Sequence, residues 1–162
     1  MNVEERNQIL ILSDEELLKL CRVDHYKATG KGGQKRNKTE SAVRVTHESS
    51  GVTGNASDSR QQGVNKIHAL RSLRLNLAFE LRAEPAAWTG QWQMNEKNAQ
   101  YPLLVATVID ALEAEQYQVS TVATSLGKST GQLIKVIARD DKLWQFVNRQ
   151  RQKLQLKPLK KN

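Results

Sequence analysis

Residues 42–56 read AVRVTHESSGVTGNA, with two short alternating runs on either side of a turn. Val43 and Val45 alternate with polar neighbours, which places them on one face of a strand. Ser50 and Gly51 favour a turn, and residues 52–56 return as a second strand. The pattern predicts an antiparallel β-hairpin.

A long helix is predicted after the hairpin, from Arg60 to about residue 83. Apolar residues recur there at three or four positions and predict one buried face: Val64, Ile67, Leu70, Leu73, Leu77 and Leu81. The predicted fold class for this part of the chain is α+β, a small antiparallel sheet packed on a long helix.

The chain before the hairpin predicts a short helix and one more strand. Ser13 and Glu16 have the spacing of a capping box, so a helix should run to about residue 20 with Leu17, Leu18 and Leu20 turned inward. Residues 21–28 alternate in polarity and predict a strand. Residues 1–12 are mixed, apart from the apolar run 9–12. The single cysteine, Cys21, allows no internal disulfide and is interpreted as a structural thiol.

A basic, glycine-rich segment separates that strand from the hairpin, and residues 27–39 read KATGKGGQKRNKT. It contains no apolar run, so an exposed loop is expected. Glycine permits positive φ and a close approach to a ligand. Five cations favour a phosphate-rich ligand: Lys27, Lys31, Lys35, Arg36 and Lys38.

Positive charge is concentrated in two parts of a chain whose net charge is +8. Residues 22–82 contain twelve Lys or Arg against five Asp or Glu, and residues 139–162 contain eight against two. Two basic surfaces predict two contacts with a polyanion, or one long contact. The further candidate RNA-binding residues are Arg60, Lys66, Arg149, Arg151, Lys153, Lys157, Lys160 and Lys161. A tail that is merely solvated is the alternative.

The second half of the chain predicts a linker and then helices. Residues 84–102 are polar and contain Pro85 and Gly90, which favours a linker. Trp88 and Trp92 are expected to pack this linker against a domain rather than to stack on RNA bases. Four helices are predicted, beginning at about residue 103, at 119, at 130 and at 141. The second should end at residue 126 and the fourth at about 154. Trp144, Val147 and Leu154 should anchor the fourth helix, and the tail after it is expected to be flexible.

The helices on either side of Gly127 resemble a helix-turn-helix. The second helix is expected to carry only Lys128 and Lys135 as cations, so a small packing bundle is favoured over a DNA-reading motif. The predicted domains are residues 1–83, which carry the glycine loop, a linker over 84–102, and a helical region over 103–162 with a basic tail.

The glycine loop and the residues after it resemble class I peptide chain release factors. Gly32-Gly33-Gln34 is the tripeptide of that family, residues 41–47 match its following strand, and Gly51-Val52 fits its hairpin turn. The start of the long helix fits through Arg60, Gln62, Asn65 and Lys66. Departures at Lys31, Lys35, Arg36 and Gln61 leave the tripeptide intact.

The resemblance implies hydrolysis of the ester that joins a nascent peptide to tRNA, with Gly32, Gly33 and Gln34 as the catalytic residues. The family's stop-codon readers carry a separate codon-recognition domain for which 162 residues leave no room. The chain instead resembles the short release-factor-like proteins, including the ribosome-rescue factors with a basic C-terminal extension, and this resemblance implies stop-codon-independent rescue of stalled ribosomes. The resemblance also implies partners, namely ribosomal RNA and the peptidyl-tRNA in the P site. The C-terminal tail would contact the mRNA channel, and a glutamine methyltransferase would act on Gln34.

Two other functions are kept open beside release. One is a non-catalytic protein that binds ribosomal RNA in assembly or quality control, and the other is a DNA-binding regulator. His25, His47 and His68 are interpreted as structural, no ligand spacing predicts a metal, and no cofactor is expected. The sequence shows neither a signal peptide nor a transmembrane segment, so a protein of the cytoplasm without a membrane partner is expected. It is also expected to be a monomer.

Overall fold

Three strands form an antiparallel sheet in the computed structural model, which describes residues 1–27 and 40–161. They are β1 (Cys21–Tyr26), β2 (Ala42–His47) and β3 (Thr53–Ala56), with β2 in the centre. Val45 pairs with Val23 on one side and with Gly54 on the other. Val43 and Val45 are fully buried, and the positive φ of 74° at Gly51 makes the turn. The predicted hairpin is confirmed.

The described residues also form seven helices: α1 (Val3–Ile11), α2 (Asp14–Lys19), α3 (Gln62–Glu80), α4 (Tyr101–Ala114), α5 (Val119–Ser125), α6 (Thr130–Ala138) and α7 (Asp141–Lys153). The chain divides into a sheet unit, Gln8–Leu81, and a helical unit made of Met1–Asn7 and Arg82–Asn162. The predicted α+β class, with helices following the sheet, is confirmed. Among the described residues, no helix has the length and apolar character needed to cross a membrane.

Helix α3 packs directly on β2 and β3 of the sheet unit. Asn65, Ala69, Leu73 and Leu77 recur every four residues and are fully buried. Gly54 allows the close approach, since a Cβ there would lie 2.2 Å from the carbonyl oxygen of Ala69. This buried stripe corrects the prediction for Ile67, whose surface is 53% exposed because it lies on the outer side of the helix.

The N-terminal part of the sheet unit contains the predicted capped helix. Ser13 Oγ accepts a hydrogen bond from the backbone of Glu16, whose carboxylate accepts one from Ser13 N, so the capping box of α2 is confirmed. Leu17 is buried, but Leu20 is 44% exposed at the end of the helix, where the prediction was wrong. The Cys21 thiol donates to the carbonyl of Leu17, and burial raises its pKa.

Helix α1 was not predicted, and its first turns explain why. Arg6 is fully buried, and its guanidinium lies 2.6 Å from the carboxylate of Asp110 in the helical unit. The same carboxylate accepts hydrogen bonds from Arg82 and from the backbone of Ala83. A charged side chain in the core breaks the apolar repeat on which helix prediction depends.

Local signals define the ends of the later helices in the helical unit. Helix α5 is followed by Gly127 at a φ of 71°, and Ser129 with Gln132 forms the capping box of α6. Asp140 caps α7 and accepts a hydrogen bond from the Tyr101 hydroxyl. Such caps satisfy backbone N–H groups that a helix leaves unpaired at its start.

The linker and the tail both contact these helices. The ring of Trp92 lies 4.9 Å from the ammonium of Lys128, as the docking prediction requires. The tail was expected to be flexible, but it folds back on α7: the backbone of Leu159 donates to Asn148 and the side chain of Arg151 donates to the carbonyl of Lys157. Leu154 is 47% exposed and is not the predicted anchor.

Candidate functional site

The predicted catalytic residues lie outside the described part of the chain. Gly32, Gly33 and Gln34 fall within residues 28–39, as do Lys31, Lys35, Arg36 and Lys38. The structure describes the two strand ends between which this segment runs. Tyr26 and Ala42 are Cα partners at the end of the β1–β2 ladder. The segment therefore starts and ends at neighbouring points of one sheet.

Two amide side chains from the first turns of α3 bind residues 40 and 41, which follow the segment directly and are called its exit. Gln62 Nε2 donates to the carbonyl of Glu40 at 2.9 Å, and Asn65 Nδ2 donates to the carbonyl of Ser41 at 2.8 Å. Asn65 also donates to the carbonyl of Ser59 and accepts from its backbone N–H. Because Asn65 is fully buried, these bonds are shielded from water and tie residues 40–41 to the helix.

The described surroundings of the segment are basic. Lys27 and Arg60 are exposed, and Lys66 is half-buried on α3. Arg44 is a further cation, exposed on the outer face of β2, and its guanidinium lies 4.9 Å from the ring centroid of Tyr26. Arg44 is not among the RNA-binding residues predicted from the sequence. Its position opposite Asp24 at the same end of the ladder is what brings it near the base of the segment.

The predicted RNA-binding residues of the tail belong to the helical unit. Arg149, Lys153, Lys157 and Lys160 are exposed. Arg151 is half-buried and donates to the carbonyl of Tyr117 at 2.6 Å as well as to that of Lys157, so it also has a structural role. Lys161 lies 3.1 Å from the carboxylate of Asp141 and over the ring of Trp144.

The histidines occupy separate positions in the sheet unit. His47 is buried, shares a 2.7 Å hydrogen bond with Ser50 at the hairpin turn, and has its pKa lowered by burial. His68 lies 3.2 Å from Asp58, and His25 is exposed on β1. In residues 1–27 and 40–161, no three or more His, Cys, Asp and Glu side chains are grouped to hold a metal ion.

A match to a protein-family model shows which family the chain belongs to. Residues 14–124, more than half of the chain, match the RF-1 domain. The chain belongs to the RF-1 domain family. The matched residues include Gly32-Gly33-Gln34, the sheet and α3, so the resemblance to class I release factors is confirmed.

Individual relatives of this RF-1 domain protein agree with the family match. It is 48% identical over 66 residues to peptide chain release factor 1 of Leptothrix cholodnii (strain ATCC 51168 / LMG 8142 / SP-6), which is 41% of this chain and 18% of the relative. It is 39% identical over 83 residues to peptide chain release factor 1 of Acidovorax sp. (strain JS42), 51% of this chain and 22% of the relative. The chain thus spans about a fifth of the length of the curated relatives it matches.

Gln62 and Asn65 fit the start of the family's long helix in sequence, but the sequence does not indicate their hydrogen-bond partners. The structure assigns them to the two carbonyls at the exit of the glycine segment. The available signal was their spacing: two amides three residues apart lie on one side of a helix. Their carbonyl partners lie 22 and 24 residues earlier in the chain, and only the folded structure brings them into contact.

Proposed function

We propose that this RF-1 domain protein releases nascent peptides by hydrolysing the peptidyl-tRNA ester on the ribosome. The observation that carries the proposal is the intact Gly32-Gly33-Gln34 tripeptide inside the RF-1 domain match. Support comes from the framework, because the strands on both sides of the segment pair and Gln62 and Asn65 fasten its exit. The relatives' name, peptide chain release factor 1, describes the same process.

The tripeptide suits ester hydrolysis by water. Attack on the ester carbonyl builds an oxyanion and then a leaving alkoxide, and a well-placed backbone N–H stabilises both. Gly32 and Gly33 give the backbone freedom to present the N–H of Gln34. The Gln34 amide orients the attacking water and excludes larger nucleophiles. The proposed chemistry uses no cofactor, and the ribosome supplies the rest of the site.

The exposed cations provide the contact with RNA. Lysine and arginine bind phosphates by charge, so binding should weaken with salt. In the sheet unit this role falls to Lys27, Arg60 and Lys66, together with the loop cations, and in the helical unit to the exposed cations of the tail. Contact of the tail with the mRNA channel and methylation of Gln34 are further parts of the proposal.

We also propose that release does not depend on a stop codon. The helical unit ends in a cluster of exposed cations, namely Arg149, Lys153, Lys157 and Lys160. Phosphate contacts position a protein but do not read base sequence. A protein that selects its ribosome through such contacts recognises an accessible RNA path rather than a codon, which is what rescue of a stalled ribosome needs.

Release should be measured on ribosomes that hold a labelled peptidyl-tRNA in the P site. The A site should present a stop codon, a sense codon, or no codon. We expect release in all three complexes and none from free peptidyl-tRNA. Release with the stop codon alone would contradict codon independence. No release from any complex, together with tight ribosome binding, would instead support the non-catalytic ribosome-binding function.

A further inference from the structure

Helices α5 and α6 form a helix-turn-helix with a fixed turn. Gly127 has the positive φ of 71° that ends α5, and the backbone N–H of Lys128 donates to the carbonyl of Ala123 at 2.8 Å. Val122, Leu133 and Ile137 are buried beneath the two helices. Their outer surface is consequently held in one arrangement.

That outer surface carries no acidic residue. Residues 119–139 contain no Asp or Glu, and their cations are Lys128, Lys135 and Arg139. After these residues, Asp140 is buried as the cap of α7 and Asp141 pairs with Lys161, and before them the exposed carboxylates nearest in the chain are Glu113 and Glu115. The remaining exposed side chains are small and polar: Ser120, Thr121, Thr124, Ser125, Ser129, Thr130 and Gln132. Hydroxyl, amide and cationic groups are those that contact nucleic-acid phosphates.

Three cations lie in or beside α6, namely Lys128, Lys135 and Arg139. Gln132, Lys135 and Arg139 follow at intervals of three and four residues and share one side of the helix, whereas Lys128 lies just before the N-cap Ser129. We call these four residues the α6 stripe. From Gln132 to Arg139 the α6 stripe extends over about 10 Å at a rise of about 1.5 Å per residue. Lys135 and Arg139 are exposed.

Trp92 completes the surface from the linker. Its ring lies 4.9 Å from the Lys128 ammonium, and its carbonyl accepts a hydrogen bond from Arg139 at 3.3 Å. The indole therefore lies against Lys128, and the backbone of Trp92 lies beside Arg139.

We propose that the α6 stripe with Trp92 binds the sugar–phosphate backbone of an RNA. The open, cation-lined surface suits phosphates that lie on the outside of an RNA strand, and an indole beside it suits an unstacked base. This contact is separate from the glycine loop and from the tail. The choice of RNA over DNA rests on the proposed function, because a release protein works on the ribosome.

The test compares two charge reversals in the full-length protein. Lys135→Glu reverses a cation of the α6 stripe, and Lys97→Glu reverses an exposed linker cation with the same change in net charge. Binding is followed by fluorescence anisotropy with a labelled RNA hairpin and with the DNA hairpin of identical sequence. Circular dichroism melting shows whether each variant is folded, and Lys135→Gln serves as a milder second variant.

We expect Lys135→Glu to weaken RNA binding about ten-fold and to lower the slope of log affinity against log salt by about one. Lys97→Glu should leave both nearly unchanged. Equal effects of the two reversals on RNA binding, or an effect of Lys135→Glu on the DNA hairpin as large as on the RNA hairpin, would overturn the proposal. The peptide-release assay distinguishes this outcome from a failure of the proposed function. In that case the wild type would release no peptide, whatever effect Lys135→Glu has on RNA binding.

Discussion

At the scale of single residues, Asn65 is the side chain on which the framework of the glycine segment depends most. Its amide is fully buried and makes hydrogen bonds to Ser41 and Ser59, which are 24 and 6 residues away in sequence. Gln62 holds the neighbouring carbonyl of Glu40 from an exposed position. A buried polar group that loses its partner keeps its desolvation cost, whereas an exposed one regains water.

Replacing the two amides should therefore have unequal effects. We expect Asn65→Ala to lower the free energy of unfolding by about 2–4 kcal/mol, because it orphans the carbonyls of Ser41 and Ser59. Gln62→Ala should cost less than about 1 kcal/mol. Urea denaturation followed by circular dichroism measures both. If the two variants were equally stable, the buried amide would not have the role assigned to it.

At the scale of elements, the contact between β3 and α3 is set by the absence of a side chain at Gly54. A Cβ there would lie 2.2 Å from Ala69 O and 2.3 Å from Leu73 N, both of them backbone atoms that cannot rotate away. Gly63, in the first turns of α3, has open space where a Cβ would be added. The two glycines offer a matched pair of substitutions.

Alanine at these two positions should change stability in opposite directions. Gly54→Ala forces α3 away from the sheet, and we expect it to lower the free energy of unfolding by about 3 kcal/mol or more. Gly63→Ala should raise it by about 0.5–1 kcal/mol, because alanine loses less backbone entropy in a helix. Thermal and urea unfolding would reveal the signs, and a Gly54→Ala protein as stable as wild type would contradict the packing described.

The same elements show how far the fold can be predicted from the sequence. The hairpin and the capping box at Ser13 follow from local patterns, and the structure contains them. Helix α1 was missed because Arg6 is a core residue only through its distant partner Asp110. Ile67 was misplaced because an apolar residue at helical spacing can still face solvent when a polar one, Asn65, is buried instead.

At the scale of the whole molecule, charge is what the two units share. The sheet unit has exposed cations around its glycine segment, and the helical unit has them on the tail and along the α6 stripe. The tail and the loop could be recognised from runs of Lys and Arg. The α6 stripe could not, because its cations are spaced along the chain and Arg139 lies just beyond the end of the helix.

For the glycine segment, the sequence motif predicts the catalytic residues, and the structure shows the strand ends and hydrogen bonds on either side of the segment. Gly32, Gly33 and Gln34 are recognisable as a tripeptide in a basic context, whereas the pairing of Tyr26 with Ala42 and the contacts of Gln62 and Asn65 required the fold. Long-range hydrogen bonds leave no periodic trace in a sequence, which is why the motif could be found and its supports could not.

The most direct test of the release function is a single-turnover measurement on ribosomes carrying labelled peptidyl-tRNA, at saturating protein. Gln34→Pro removes the backbone N–H proposed to stabilise the oxyanion. We predict that it binds ribosomes with wild-type affinity and releases peptide about 100-fold more slowly or worse. A Gln34→Pro protein that binds and releases at the wild-type rate would contradict the account.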